Sequence, residues 1–264
     1  MFCGNLWRFV ELLSEERYQK IIERVGRNGS ATVNELANVC GVSIETIRRD
    51  LVFLEAHGRL KRVFGGAVAH RAAPRFEEYP VRELANREQK IAVSNVIASL
   101  VYEGDVIALD SGTTAMETAA ALKARFRKLT VLTYSLKVFE LLKDTFDVIL
   151  TGGEYYPKEG ALYGELAVES IARLHTDKCF IFPSAVSVRY GVEDFVPCFV
   201  PVQRQLMQYS DHVFIAADSS KFGGRALIRV CDLDPRYVYV TDGGVSKEIA
   251  KEFAEKNCNL ITGE

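Results

Sequence analysis

The chain has 264 residues, 48% hydrophobic and 26% charged, with a formal net charge of -2. That balance is ordinary for a soluble globular chain of one large domain, or of a small domain and a medium one. It excludes a strongly basic protein, and no stretch approaches the ~20 apolar residues that cross a bilayer.

The charge is unevenly spread. Residues 1–75 carry 12 Lys/Arg and 8 Asp/Glu, whereas residues 76–264 carry 21 and 27. A small basic head on an acidic body suits a head that meets phosphate. The six cysteines (Cys3, Cys40, Cys179, Cys198, Cys231, Cys258) form no CxxC pair. They read as reduced thiols of a cytoplasmic protein, with no metal site and no disulfide framework. The opening "MFCGNLWRFVELL" lacks a basic start and a small-residue cleavage site, so no signal peptide is expected. It reads as a leading helical turn or an extension.

Within the head, Tyr18, Ile21, Ile22 and Val25 recur at helical spacing, and "GRNGS" ends that helix. Thr32 and Glu35 form a T-x-x-E capping box for a short second helix. Gly41 makes a turn, and Ser43 is a candidate N-cap for "IETIRRDLVFLEAHG", which Gly58 closes. Ile44, Ile47, Leu51 and Leu54 share one face of this third helix. "RLKRVFGGAV" then reads as a basic hairpin. Helix, helix, turn, helix and hairpin make a winged helix-turn-helix over residues 14–69. With the apolar face buried, Glu45, Thr46, Arg48 and Arg49 remain outside, near the helix start that reaches base edges in the major groove. Arginine can pair bidentately with guanine. Arg59, Lys61 and Arg62 on the wing suit backbone phosphates.

The run "GSATVNELANVCGVSIETIRRDLVFLEAHGRLKRVFGGA" closely resembles the N-terminal signature of the DeoR/GlpR family of bacterial transcription regulators. The resemblance implies a winged-helix DNA-binding domain, a sugar-metabolism sensor and usually repression of double-stranded operator DNA. Carried over by position, the DNA-reading residues are Ser43, Thr46, Arg48 and Arg49.

A linker is expected at 70–80, where "HRAAPRFEEYP" has no periodic face, and a body at 81–264. There a helix from Arg87 to Tyr102 precedes apolar runs at 106–109, 130–133, 148–150, 179–182, 213–216, 237–240 and 260–261. Helical segments at 116–124, 136–143, 166–174, 202–209 and 247–255 separate several of them. Short, nearly continuous apolar strands alternating with helices predict an α/β domain with a mainly parallel sheet covered on both faces. Ligands of such sheets bind at the carboxyl ends of strands, where the strand order reverses.

The residues at those ends are Asp110, Ser111, Gly112, Thr113 and Thr114, then Thr133, Tyr134 and Ser135, then Gly152 and Gly153, then Ser184 to Ser187, and finally Lys221 after Asp218, Ser219 and Ser220. Amides at a helix start, hydroxyls and a lysine suit a phosphate on a small polar molecule. Neither GxGxxG nor a Walker loop is present, and no cofactor is expected. Structural readings stand beside these. Thr114 with Glu117 spells another capping box, Ser135 could cap the next helix, and Gly152-Gly153 could be only a turn. "LDSGTT", "VLTYSL" and "FIAADSSKFG" are similar to the sensor domain of the same family. Its fold resembles ribose-5-phosphate isomerase, which implies a phosphate loop at 110–114 and a phosphate-binding lysine at Lys221. The family usually has asparagine where Tyr134 stands, and the segment at 183–207 is less typical of it.

The loop 183–187 carries no carboxylate, and Glu193 and Asp194 follow a Gly191 turn that suggests the surface. The expectation is a non-enzymatic, homo-oligomeric repressor that binds a phosphorylated sugar without turnover. The alternatives are an isomerase-like enzyme with a DNA-binding head, or a regulator with a ligand-blind oligomerising body.

Overall fold

The computed structural model describes residues 14, 17–26, 29–56, 59–69 and 76–263. The readings at 1–13, His57, Gly58 and 70–75 lie outside the described residues. The chain divides into two compact units, Met1–Arg75 and Phe76–Glu264.

In the first unit a helix over 17–26 (α1) is followed by β1 (Ser30–Thr32), α2 (Val33–Cys40), α3 (Ile44–Ala56), β2 (Leu60–Val63) and β3 (Gly66–Ala69). Thr32 and Glu35 form the expected reciprocal capping box, and Gly41 ends α2 with a left-handed φ of 66°. Ser43 caps α3, its hydroxyl accepting the Thr46 N–H at 3.2 Å. The strands form an antiparallel sheet in the order β1-β3-β2. Ile21, Leu36, Ile47, Leu51 and Leu60 meet in one buried core. Ile44 departs from the expected apolar face and is 42% exposed. Helical side chains lean toward the N-terminus, so a first-turn residue projects past the helix end and off the core.

The second unit begins with α4 (Tyr79–Leu84) and α5 (Arg87–Ser99). Residues 79 and 80, expected in the linker, therefore open a helix, and Tyr79 is buried. Next come β4 (Val106–Leu109), α6 (Thr113–Arg125), β5 (Thr130–Thr133), α7 (Leu136–Leu142) and β6 (Asp147–Leu150). A hairpin of β7 (Glu154–Tyr156) and β8 (Ala161–Tyr163) leads to α8 (Glu165–Ala172) and β9 (Thr176–Ile181). The chain continues through β10 (Ala185–Ser187), β11 (Gly191–Asp194), α9 (Val200–Gln208), β12 (Ser210–Ala216) and β13 (Ile228–Cys231). It ends with β14 (Val238–Asp242), α10 (Lys247–Glu255) and β15 (Asn259–Gly263).

Seven strands form one sheet in the order β15-β14-β12-β9-β4-β5-β6, and every pairing in it is parallel. Both faces are buried. Ile107 and Leu109 point into one core and Ala108 into the other, which explains strands that read as continuous apolar runs. From β4 the chain moves outward through β5 to β6, then returns to place β9 on the other side of β4. The strand order therefore reverses between β4 and β9, and a crevice is expected there. A small antiparallel sheet, β10-β11-β13, lies apart from the main one.

Candidate functional site

On the first unit, Arg48 and Arg49 stand outside α3 with side chains 63% and 81% exposed, 3.5 and 3.9 Å from Glu45. Exposed pairs at such distances contribute little to stability, ~0–1 kcal/mol at most, so both guanidinium groups can be given up to DNA. Thr46 is half-buried, its hydroxyl 2.9 Å from that of Ser43. Ser43 therefore acts first as the helix cap. Arg59, Lys61 and Arg62 are all exposed on the wing, where the Arg62 amide donates to Glu55 at 2.8 Å. Between them and the Gly66 turn, Phe64 is fully exposed at the wing tip. The third residue of "RRD" behaves differently. Asp50 is buried and bidentate with Arg17 of α1, at 2.5 and 2.9 Å.

At the switch point of the second unit, Asp110 is fully buried directly after β4. Its Oδ1 accepts from the Tyr134 hydroxyl and, at 2.7 Å, from the Ser111 amide. Its Oδ2 accepts from the Phe182 amide at 2.9 Å and from Gln203 Nε2 at 3.2 Å. An ionised carboxylate offers about four lone-pair sites, and all are used. Asp110, expected to touch an effector, instead ties β4 to the end of β9 and to α9.

Burial pushes the Asp110 carboxyl up to about 6, against the pull of the Tyr134 hydroxyl and the Phe182 amide. An unfolded aspartate titrates near ~3.9, so the folded chain holds this proton more tightly. The associated stability is full below the unfolded value and is lost as pH rises through about 6. Lowering the pH from about 7 to about 5 should therefore stabilise this unit by about 1 kcal/mol more than it stabilises Asp110→Asn. Urea denaturation at both pH values measures this, and equal pH responses would refute it.

Other strand-end residues are also committed to the fold. The Thr133 hydroxyl donates to the Leu109 carbonyl at 2.8 Å and accepts the Ser135 amide at 3.1 Å. Ser135 caps α7, accepting the Val138 amide at 3.3 Å. Gly153 has φ 132°, and a Cβ there would meet the Tyr163 carbonyl oxygen at 2.3 Å. Gly152 is exposed beside it. For Thr133, Ser135 and Gly153 the structure supplies a packing or capping job.

Residues 112–114 and Lys221 differ, whereas Ser111 is held by Asp110 through its amide and by Tyr134 through its hydroxyl. Gly112, with φ 113°, is the N-cap of α6 and makes no side-chain cap bond. The expected Thr114–Glu117 capping box does not form, because the helix starts at Thr113 and Glu117 receives Arg87 at 3.0 Å. The first amides of α6 thus remain free of a side-chain cap. Thr113 and Thr114 are each 9% exposed. Among the described residues, neither their hydroxyls nor the Lys221 ammonium has a hydrogen-bond or ion-pair partner. Lys221 is half-buried at the end of a single 3-10 turn, Ser219–Lys221, which Asp218 caps.

Lys90 of α5 joins these parts. It is buried, and its Nζ donates to the Arg82 and Glu83 carbonyls at 2.6 and 2.9 Å. Burial lowers its pKa, Asp218 and Glu117 oppose that, and Lys221 adds to it. Asp218, Lys221 and Glu117 are therefore within electrostatic reach of the same buried ammonium. Asn86 adds bonds to Asp218 (3.2 Å) and Ser220 (3.0 Å). None of Asn86, Lys90 or α4 stood out in the sequence.

Glu193 and Asp194, expected at the surface, are 9% and 6% exposed. The Gly191 turn leads into β11, which the small sheet pairs on both edges. Asp194 accepts from Ser184 Oγ (3.0 Å), the Phe195 amide (2.6 Å) and Gln203 Nε2 (2.8 Å). Glu193 accepts the Ala226 amide at 2.9 Å. Among the described residues no His/Cys/Asp/Glu group has a metal-site arrangement, and no helix is long and apolar enough to cross a membrane.

A winged-helix reader joined to a parallel α/β domain with an open helix start at its switch point defines a DNA-binding transcription regulator. Residues 17–72 match the DeoR-like helix-turn-helix domain, and residues 85–243 match the DeoR C-terminal sensor domain. The chain belongs to the DeoR family. An HTH-type transcriptional regulator of Bacillus subtilis, YulB, is 34% identical over 94% of this chain and 96% of its own. The lactose phosphotransferase system repressor of Lactococcus lactis is 30% identical over 91% of this chain and 96% of its own. Among solved structures, a ribose 5-phosphate isomerase A from Methanocaldococcus jannaschii is 16% identical over 52% of this chain and 55% of that one, with a TM-score of 0.39. That score is too low to bear on function.

Proposed function

We propose that this chain represses a carbohydrate-metabolism operon, and that its second unit binds a phosphorylated sugar or related metabolite without turning it over. The observation that carries the effector reading is the uncapped start of α6 after β4, where, among the described residues, the Thr113 and Thr114 hydroxyls have no partner, together with an unpaired Lys221 after β12, β4 and β12 being the two strands that flank β9. Free amides with a helix dipole behind them favour an anion. Binding without turnover is supported at two of the buried carboxylates: Asp110 and Asp194 are saturated with protein donors, whereas a general base needs a free lone pair directed at substrate. Resemblance to a lactose phosphotransferase system repressor supports the carbohydrate class.

Arg48 and Arg49 read bases, Ser43 and Thr46 shape the helix start, and Arg59, Lys61 and Arg62 hold phosphates. Helix-turn-helix operators are usually read by symmetric pairs, so the working form is a homo-oligomer in the cytoplasm. An effector that lowers operator affinity must bind the DNA-free arrangement more tightly by the same factor.

The test pairs two variants on DNA selected by the wild-type chain from a random pool. Arg49→Ala should cost about 1–3 kcal/mol of DNA affinity and leave effector binding intact. Lys221→Ala should retain DNA affinity and lose the response to phosphorylated sugars. In the wild type, a ligand at ~100 times its dissociation constant should add ~2.7 kcal/mol of stability in thermal melts. Loss of DNA binding in a folded Lys221→Ala chain would sink this division of labour. A flat ligand panel would favour a ligand-blind oligomerising body.

A further inference from the structure

Phe64 is the most exposed large hydrophobic residue among the described ones. Its side chain stands fully in solvent, and no other of them exceeds 79%. The turn that carries it is well held. Val63 pairs with Gly66, so Phe64 and Gly65 alone join β2 to β3. Gly65 has φ 83°, a conformation suited to glycine. Its carbonyl accepts the Val33 amide at 2.9 Å, which ties the tip to the start of α2. A Cβ on Gly66 would meet the Ala31 carbonyl oxygen at 2.2 Å, so β3 lies close against β1. Tight turns usually take small or polar residues, yet this one holds an aromatic ring out in water. Leu60 points into the core, and strand alternation puts Lys61 and the exposed Val63 on the outer face. An apolar tip, Val63 and Phe64, thus ends a basic strand with Arg59, Lys61 and Arg62 exposed on it. Cations behind an apolar tip match a groove of DNA, which has phosphate rims and apolar sugar walls.

We propose that Phe64 enters the minor groove beside the half-site read by α3 and makes an apolar contact there. This rests on the DNA-reading assignment of α3. A helix in the major groove leaves its wing facing the next groove across one backbone, the minor groove. That groove is about 6 Å wide, which admits a ring at the end of a two-residue turn. Apolar side chains that enter it gain contact with the sugars and base edges and can open a base step.

The experiment is binding of the full chain, over a range of salt, to duplex DNA that the wild type selects from a random pool. It uses the wild type, Phe64→Ala, Phe64→Leu, Lys61→Ala and Arg49→Ala. Because the ring is fully exposed, Phe64→Ala should melt like the wild type. It should weaken binding about tenfold or more with an unchanged salt slope, and Phe64→Leu should restore most of the loss. Lys61→Ala should instead reduce the slope by about 1. The groove is tested by placing G·C or inosine·C pairs beside the α3 site. The two share a major-groove edge, but only G·C puts an amino group in the minor groove. The wild type should bind the inosine version more tightly, and Phe64→Ala should not distinguish them. Unchanged affinity in Phe64→Ala, with Arg49→Ala weakened, overturns the role of Phe64 and leaves the α3 assignment standing. If both variants bind like the wild type, both fall. A loss that sedimentation traces to dissociated oligomers makes the ring a contact between copies and overturns the proposal. Equal wild-type affinity for G·C and inosine·C at every flanking position overturns it as well.

Discussion

Replacing Arg17 by Met is expected to remove about 3 kcal/mol or more from the stability of the first unit. Arg17 provides both donors to Asp50, and the Asp50 side chain is only 5% exposed. Methionine keeps most of the apolar stem, so the loss isolates the charge. The carboxylate left behind must stay ionised without a partner, take up a proton, or force α3 away from α1, and each is costly. A unit of ~60 residues commonly has ~3–9 kcal/mol in total, so the variant should be partly unfolded at room temperature. Circular dichroism in urea, with DNA binding as the second readout, measures this. Arg48→Ala is the control, because its pair with Glu45 is exposed and its loss should barely change stability. A loss below about 1 kcal/mol in Arg17→Met would show that Asp50 finds other donors.

The second large effect is expected at Arg82. Both oxygens of Glu159 receive Arg82 at 2.5 Å, and the Glu159 side chain is 3% exposed. The guanidinium also lies 4.6 Å over the Phe76 ring and 5.4 Å over that of Tyr79. Burial raises the Glu159 pKa even with Arg82 beside it. Arg82→Ala therefore leaves a carboxylate that can remain buried only by protonating. The cost should be about 3–5 kcal/mol to the second unit. Adding Glu159→Gln should return part of that, since a neutral amide is cheaper to bury than an unpaired charge. Denaturation of the wild type, the two single variants and the double variant gives the coupling. If Arg82→Ala costs no more than Glu159→Gln alone, the ion pair does not hold α4.

This matters because α4 is the first helix of the unit that carries the sensor domain. It is pinned from three sides. Arg82 binds Glu159, Lys137 Nζ lies 3.0 Å over the Tyr79 ring, and Lys90 holds the last carbonyls. Lys90 also feels Asp218 and Lys221.

Much of the architecture was legible in the sequence because it rests on local chemistry. The Thr32–Glu35 box, the Gly41 stop and the Ser43 and Ser135 caps each depend on residues within four positions of one another. The seven parallel strands were legible because burial on both faces leaves continuous apolar runs, as at Val106–Leu109. Runs of three or four residues without such a pattern, β1, β10 and β11, were not, since pairing partners far along the chain make them strands.

The site divides the same way. Sequence by itself determined which residues gather at the strand ends, because strand and helix periods dictate where each loop falls. Only the tertiary structure decided which of them remain available. Whether a hydroxyl or carboxylate is free depends on donors brought from elsewhere: Phe182, Gln203 and Tyr134 for Asp110, the Leu109 carbonyl for Thr133, and Arg17 for Asp50. A buried polar group must be satisfied by whatever the fold places beside it. "LDSGTT" therefore splits into an aspartate that locks the switch point and a helix start without a side-chain cap.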